Sequence, residues 1–423
     1  MRAWLLFAVF ISWGACANAR PPVKPLTLQQ ALAIAEEGNP ELRSARAAVA
    51  AAEGESQEAA AMLRQNPELT VEQTRRTARD AQGIGETFRE SAVGISQAFE
   101  IAGQPAYRRE AARHSLSAVH AQIASVQVRL RAETENAFAQ VLLLQLRLNA
   151  EQHNLMLVEE AAAAVGKRVS AGEDTRLDGN LASVEAERAR NQVSTIQEQL
   201  IVARARLATV LQLPPEGLPQ VAGDLPERIP RYRLEDLLAG ASRRPELAAL
   251  VGREEAARSR LDLERASVFP DVTVGITSLR EGPPELRERA TMLTLSVPLP
   301  LFKRNQAAIG RAVAERDQLQ VERQAAMRDG EAKVREQWAR LESLQARLQR
   351  LTQSVLPRLD ENLSLSTKAY RAGEIGILQL VVVNRQALDA RRDYLEALGE
   401  FTQARIALES AAATHFTSAT PNP

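Results

Sequence analysis

The chain has 423 residues, of which 45% are hydrophobic, 25% are charged and only 4% are aromatic. Lys and Arg together number 53 and so do Asp and Glu, which leaves no net field to recruit nucleic acid or an anionic surface. The scarcity of aromatic residues and the abundance of Ala, Leu, Glu, Arg and Gln are typical of long exposed helices. We therefore expect no nucleic-acid partner and a fold other than ordinary globular domains.

Residues 1–19 are predicted to form a signal peptide, with a basic residue, an apolar run and small residues before the cleavage site: Arg2, Ala3–Trp13 and Ala17–Ala19. The only cysteine, Cys16, lies in this segment and is a candidate lipid-attachment site. Trp13 occupies a position where such sites usually carry Leu, so we favour removal of Cys16 with the signal peptide. No other run approaches the ~18–20 apolar residues of a membrane-spanning helix.

Three short motifs recur in the same order about 200 residues further along the chain. The pairs are Asn39–Leu42 with Arg244–Leu247, Pro67–Val71 with Pro270–Val274, and Ser170–Glu173 with Arg371–Glu374. Their offsets are 205, 203 and 201 residues, and chance matches would not keep both order and spacing. The chain is therefore predicted to contain two tandem copies of one structural unit.

The first copy is expected over 20–212 and the second over 234–412, joined by a Pro-rich linker at 213–233 and followed by a tail at 413–423. Each copy predicts, in order, a short helix, a second helix, two strands, one long helix and a return helix after a tight turn. The strands are expected near 67–76, 89–99, 270–279 and 289–299.

The long helices are predicted from Gln104 to the Gly172 turn and from about Lys303 to Ala372. Their apolar residues recur with heptad spacing, which indicates packing along the whole flank. In each copy the helix before the strands, expected to end near Gln65 in the first, and the return helix together match the long helix in length. The unit is thus predicted to be a rod of paired helices with a strand hairpin at one end.

Apolar and small polar residues alternate along the predicted strands, as in Met292–Leu299 and Val272–Thr277. This period of two is typical of a barrel wall between lipid and water, although a hairpin covering a small core gives the same pattern. Four strands cannot close a water-filled barrel, and open edges are not tolerated in lipid. A membrane protein of this kind would need several chains to pool their strands.

From Leu26 to Ala412 the chain resembles the TolC-type outer-membrane efflux factors, through its duplicated unit, the Pro-Glu-Leu helix entries and the two Ala-Gly-Glu turns. The segments Val297–Gln306 and Phe99–Gly103 are most similar to the branch that serves cobalt-zinc-cadmium (heavy-metal RND) pumps. The resemblance implies a mainly α homotrimer with a 12-stranded outer-membrane β-barrel and a 12-helix periplasmic α-barrel. The linker would lie in an equatorial region.

The resemblance also implies a passive duct that carries substrate, here divalent heavy-metal cations, from a periplasmic adaptor and an inner-membrane RND pump to the exterior. A duct for drugs or other organic compounds is the alternative within the family. A periplasmic adaptor would carry one helical hairpin and several β-rich modules, and a structural coiled coil would need no strands. We expect no enzyme activity and no cofactor.

The two helix-helix turns would form the periplasmic tip, which the resemblance implicates in gating and adaptor contact. Asp178 falls where the family carries an acidic gate residue, and Tyr370 where it carries a gate tyrosine. Ile375 replaces a gate arginine, and Gln379 and Val382 replace later acidic residues, so we expect a looser closed tip held by hydrogen bonds from Asp178 and Tyr370. The predicted tip residues are Lys167, Arg168, Gly172, Glu173, Asp178, Tyr370, Arg371, Gly373, Glu374 and Gln379.

The four histidines, His114, His120, His153 and His415, are scattered, and no pair has a metal-ligand spacing with a third donor. No nucleophile context and no phosphate-binding Gly loop occur. We therefore predict neither a metal site nor a catalytic site.

Overall fold

The structure is a computed structural model that describes residues 25–79, 85–214, 217–226, 232–283, 285–302 and 304–414. The predicted signal peptide with Cys16, most of the C-terminal tail with His415, and parts of the Pro-rich linker lie outside the described residues. The remainder is mostly helical with one small antiparallel sheet, as the sequence predicts.

The first repeat begins with two helices that have well-defined starts. The Thr27 side chain accepts a hydrogen bond from the Gln30 amide and Gln30 returns one, which is a capping box, and Asn39 caps the next helix before Pro40. Its elements are α1 (Leu28–Gly38), α2 (Pro40–Ala59), β1 (Glu68–Arg79), β2 (Gly85–Phe99), α3 (Gln104–Ser170) and α4 (Arg176–Val210).

The second repeat has the same order of elements, with one interruption in its long helix. Its elements are α5 (Leu234–Ala241), α6 (Pro245–Ala266), β3 (Val272–Glu281), β4 (Glu288–Ser296), α7 (Gln306–Arg350), a π-helical turn (Leu351–Val355), α8 (Leu356–Arg371) and α9 (Ile377–Ala412).

The strands form one antiparallel sheet in the order β1-β2-β3-β4. Its register places Leu69, Ile95, Ile276 and Leu293 side by side in one row, so the apolar residues of both repeats share one face. That face is uncovered, and Leu293 exposes 76% of its surface. In the described residues the outer edges of β1 and β4 have no strand partner.

The helices form a wall in which two shorter helices lie along one long helix, as predicted. Both α2 and α4 contact α3, while α6 and α9 contact α3 on one side and α7 on the other. The lateral order is therefore α2 and α4, then α3, then α6 and α9, then α7 and α8. At one lateral end of the wall α2 leads into β1, and at the other end α7 follows β4, so each end of the wall adjoins an edge strand of the sheet.

The buried core is concentrated where α1, α5 and the linker cover the wall. Ala31, Ala35 and Leu42 pack with Phe138 and neighbours on α3 and α4, and α5 packs in the same way on α7 and α9. Leu225 of the linker contacts both clusters. The described part of the linker contains no helix, and its only regular contact is a parallel bridge between Leu26 and Val221.

Two helices differ from the sequence-based expectation. α2 ends at Ala59, six residues before the predicted end at Gln65, and a short turn leads into β1. The second long helix is not continuous, because the π turn at Leu351–Val355 precedes Pro357. A proline within a helix has no N–H to donate and its ring clashes with the carbonyl four residues earlier, here that of Gln353, so α-helical hydrogen bonding cannot continue there.

Candidate functional site: the tip of the helical hairpins

The first turn connects α3 to α4 through a left-handed glycine. Gly172 has φ +81°, its amide donates to the Val169 carbonyl at 3.1 Å, and the Glu173 amide donates to the Arg168 carbonyl at 2.9 Å. This pattern satisfies the last carbonyls of α3 and favours a residue without a Cβ at the reversal. The predicted reversal at Gly172 is therefore present.

Arg168 holds the first turn together from within α3. Its Nε lies 3.0 Å from an Asp174 carboxylate oxygen and 3.8 Å from Glu173, while Lys167 points into solvent. The hydrogen bond and charge of Asp174 raise the pKa of Arg168 above its ordinary value. Arg168 and Glu173 thus share a local ion-pair network within the turn.

Asp178 has a structural role at the start of α4. The Asp178 amide donates to the Thr175 hydroxyl at 3.2 Å, and the Asp178 carboxylate accepts from the Thr175 amide at 3.2 Å and from its hydroxyl at 2.6 Å. This reciprocal arrangement is a capping box with Asp at its third position. Within one chain, the Asp178 carboxylate therefore caps the start of α4.

The second turn has the same backbone path but weaker capping. Gly373 has φ +77° and the Glu374 amide donates to the Ala369 carbonyl at 2.9 Å. The α9 N-cap is Gly376, which provides no side-chain hydrogen bond, and Gln379 supplies only a backbone donor at 3.2 Å to the Gly376 carbonyl. Arg371, Glu374 and Gln379 are exposed.

Tyr370 joins the two turns. Its ring packs against the cluster of Val165, Ala182 and Ile377, which draws residues from both hairpins. Burial raises the pKa of Tyr370 above its ordinary value of 10.0, and the charges of Arg168 and Asp174 act on it in opposite directions. The hydroxyl is buried without a hydrogen-bond partner among the described residues, so Tyr370 and Asp178 are not bonded within this chain.

Further from the tip, polar side chains connect the repeats at positions that the sequence did not single out. Arg392 of α9 makes two hydrogen bonds of 2.7 and 2.8 Å to Glu151 of α3, whose side chain is only 1% exposed. Asn384 donates to Asn154 at 2.9 Å. The sequence offers one signal for these contacts, which is the carboxylate of Glu151 among the heptad-spaced apolar residues of α3.

Among the described residues, no cluster of three or more His, Cys, Asp or Glu side chains is arranged to hold a metal ion. Within the same residues, no helix is both long and apolar enough to cross a membrane.

The chain belongs to the outer membrane efflux protein family. The profile of that family matches residues 31–211 and 240–414, which are the two repeats. Its members are passive outer-membrane efflux channels and not enzymes, and membership places this protein in the outer membrane. The family predicted from the sequence is therefore confirmed.

The relatives include metal-resistance proteins of Cupriavidus metallidurans. The cobalt-zinc-cadmium resistance protein CzcC is 26% identical over 392 residues, which cover 92% of this chain and 90% of CzcC. The nickel and cobalt resistance protein CnrC is 26% identical over 70% of this chain and 68% of its own. The pyoverdine export outer membrane protein OpmQ of Pseudomonas putida is 24% identical over 69% of this chain and 65% of its own.

Solved structures share the fold. A crystal structure of CusC superposes with a TM-score of 0.75 at 20% identity and covers 96% of both chains. The outer-membrane channel OprN gives 0.76 at 20% identity, covering 92% of this chain and 90% of its own.

Proposed function

We propose that three copies of this chain form a passive duct, in which a 12-stranded β-barrel in the outer membrane continues into a 12-helix periplasmic α-barrel. The duct would receive substrate from a periplasmic adaptor and an inner-membrane RND transporter. No covalent step is part of this function. The Pro-rich linker with α1 and α5 would surround the middle of the duct as an equatorial belt.

The proposal rests on one observation. The unpaired outer edges of the sheet lie at the same two sides of the chain as the free lateral ends of the helical wall. Among the described residues the outer edges of β1 and β4 have no strand partner, and these strands continue into the two lateral ends of the wall. Unpaired strand edges are unstable in lipid, and the uncovered apolar face of Leu69, Ile95, Ile276 and Leu293 requires an apolar surrounding. Pairing β4 of one copy with β1 of the next would satisfy both requirements.

Divalent heavy-metal cations are the proposed cargo. Support comes from the relatives named for cobalt, zinc, cadmium and nickel resistance, and from the extent of the match to CzcC. The similarity to OpmQ supports the second candidate, a duct for organic compounds. We propose the metal cargo because the CzcC match spans both repeats and nearly the whole chain.

Gene deletion tests the cargo. Cells lacking this protein should become sensitive to zinc, cobalt, cadmium or nickel, with copper and silver tested beside them, while their tolerance to a panel of drugs is unchanged. The wild-type gene should restore growth. Sensitivity to drugs alone would overturn the metal assignment. Recovery of the protein from the inner membrane, or as a soluble dimer, would overturn the duct itself.

We also propose that the ten predicted tip residues form the closed end of the duct and its contact with the adaptor. Asp178 and Tyr370 would add hydrogen bonds to the closed tip. The Asp178 carboxylate has lone pairs beyond its capping box for a neighbouring chain, and the Tyr370 hydroxyl, which is buried without a partner among the described residues of one chain, would find one when the side chain turns in the assembly. The combined Asp178→Ala and Tyr370→Phe variant should therefore raise single-channel conductance of the purified trimer. An unchanged conductance would contradict this assignment, and Glu361→Ala, which removes an exposed carboxylate of α8 outside the ten tip residues, serves as the control.

A further inference from the structure

A cavity of about 870 Å³ lies between the two repeats at mid-length of the wall. In the part of the chain that the structure describes, its lining comes from α3, α4, α7 and α9, and α1, α5 and the linker contribute no residue. It is rich in side-chain amides: Asn136, Gln140, Gln199, Gln337 and Gln403.

The position of this cavity identifies the concave side of the wall. α4 and α7 stand toward opposite lateral ends, yet both line the same cavity, so the wall must curve around it. A wall that closes into a ring curves toward its inside. If the protein forms the duct proposed above, on which this inference rests, the cavity opens into the duct and the belt of α1, α5 and linker lies outside.

The cavity lining has an excess of positive charge. Arg206, Lys333 and Arg340 face a single lining carboxylate, Glu198. Glu336, just outside the lining, lies 3.1 Å from the Lys333 ammonium, so one net positive charge remains when it is counted. Arg206 and Arg340 are exposed, and among the described residues neither has a carboxylate within 4.0 Å.

We propose that this cavity forms a positively charged girdle inside the duct that favours anions over free cations at mid-length. Three chains would place three net positive charges around one level of the lumen when Glu336 is counted. Like charges that line a confined aqueous path raise the local concentration of counter-ions and lower that of co-ions. Arg206 and Arg340 are the residues that determine this preference.

The girdle constrains the form in which a metal cargo passes. A bare heavy-metal cation binds best to imidazole, thiolate or carboxylate groups, and the lining that the structure describes offers no His or Cys and only one carboxylate among three cationic side chains. A metal ion would therefore pass this level more readily as an anionic or neutral complex than as a free cation.

The reversal potential of the full-length trimer in a planar bilayer under a KCl gradient tests the girdle. The variant combining Arg206→Glu and Arg340→Glu should lower the permeability ratio of chloride to potassium by about twofold or more relative to wild type. The matched control combines Arg328→Glu and Arg335→Glu, two exposed residues on the side of α7 away from the cavity, and makes the same change in total charge.

The difference between the two variants should shrink in about 1 M salt, because the Debye length falls from ~10 Å at 0.1 M to ~3 Å. Equal permeability ratios for the two variants in conducting trimers would overturn the girdle and leave the duct intact. Wild-type protein that forms no trimer and no channel would instead overturn the proposed function. Migration on a native gel checks that both variants assemble as trimers. The combination of Arg206→Gln and Arg340→Gln makes half the charge change and is a milder form of the same test.

Discussion

At the scale of single residues, the ion pair of Glu151 and Arg392 is the principal polar contact between the two repeats. Glu151 is almost fully buried on α3, and both of its oxygens accept from the Arg392 guanidinium. Arg392 has a raised pKa because of this hydrogen bonding, so it stays charged across the accessible pH range. A buried carboxylate is costly when its cation is removed.

We predict that Arg392→Gln lowers the free energy of unfolding by about 3 kcal/mol, because Glu151 loses its partner in a buried position. Thermal unfolding in detergent would show the loss. Arg265→Gln is the matched control, since its pair with Asp262 is 57% and 37% exposed, and it should cost less than about 1 kcal/mol. A double variant with Glu151→Gln should be more stable than Arg392→Gln alone, and equal losses in Arg392→Gln and the control would contradict the role of the pair.

Tyr232 makes the stability of the fold depend on pH, and the sign of this dependence can be predicted. Its hydroxyl donates to the Glu409 carboxylate, which also accepts from Arg405 at 2.7 Å. Burial first, and then the bond to Glu409, raise the pKa of Tyr232 far above its ordinary value of 10.0. Because the folded state holds the proton more tightly, the stabilisation is complete below pH 10.0 and is lost as pH rises above it.

Tyr232→Phe should therefore cost about 1–2 kcal/mol near neutral pH, because Glu409 loses a buried donor. The difference from wild type should shrink steadily above about pH 10. Unfolding midpoints of both proteins across this range measure it. A difference that does not vary with pH would show that Tyr232 titrates equally in both states.

At the scale of elements, the two turns depend on glycines with positive φ. We predict that Gly172→Ala and Gly373→Ala each destabilise their turn by about 1 kcal/mol, since both residues are left-handed. Gly166→Ala is the control, because Gly166 lies within α3 with nothing near its Cβ position, and it should stabilise the helix by roughly 0.5–1 kcal/mol.

Hydrogen exchange measures these effects locally. The Glu173 amide, which donates to the Arg168 carbonyl, should exchange faster in Gly172→Ala and no faster in Gly166→Ala. If exchange in the turn is unaffected by Gly172→Ala, the left-handed residue is not what defines the reversal.

The sequence predicts the elements well where a periodic pattern or a cap defines them. The strand alternation around Ile276 and Leu293 and the glycine at each reversal follow from local chemistry, and the structure contains them. The π turn before Pro357 was missed, because the apolar spacing of the second long helix continues through it. Contacts such as Tyr370 with Val165 were also not predictable, since they depend on how two hairpins more than 150 residues apart meet.

At the scale of the whole molecule, the pairing of β1 with β4 of another copy can be tested by cross-linking. In one sheet these strands are three spacings apart, or ~14 Å, which is too far for a disulfide. We predict that Thr70→Cys combined with a cysteine at Ala290, Met292 or Thr294 gives covalent trimers in outer membranes under mild oxidation. One of the three positions should match the register between chains.

The control for this cross-link combines Thr70→Cys with Thr277→Cys. Thr277 lies on β3, an interior strand, so its cysteine cannot reach a β1 edge in the same chain or in the next. Trimers from the control pair, or only monomers from all three test pairs, would contradict edge-to-edge assembly.

The interrupted second long helix has a consequence for the symmetry of the assembly. Although the repeats are copies, α3 runs unbroken for 67 residues while its counterpart is divided by the π turn, and α8 beyond that turn has no fully buried residue. A ring of three chains would then alternate stiff columns with jointed ones. Bending at the tip would occur at three sites and not six, so the periplasmic opening would widen as a triangle.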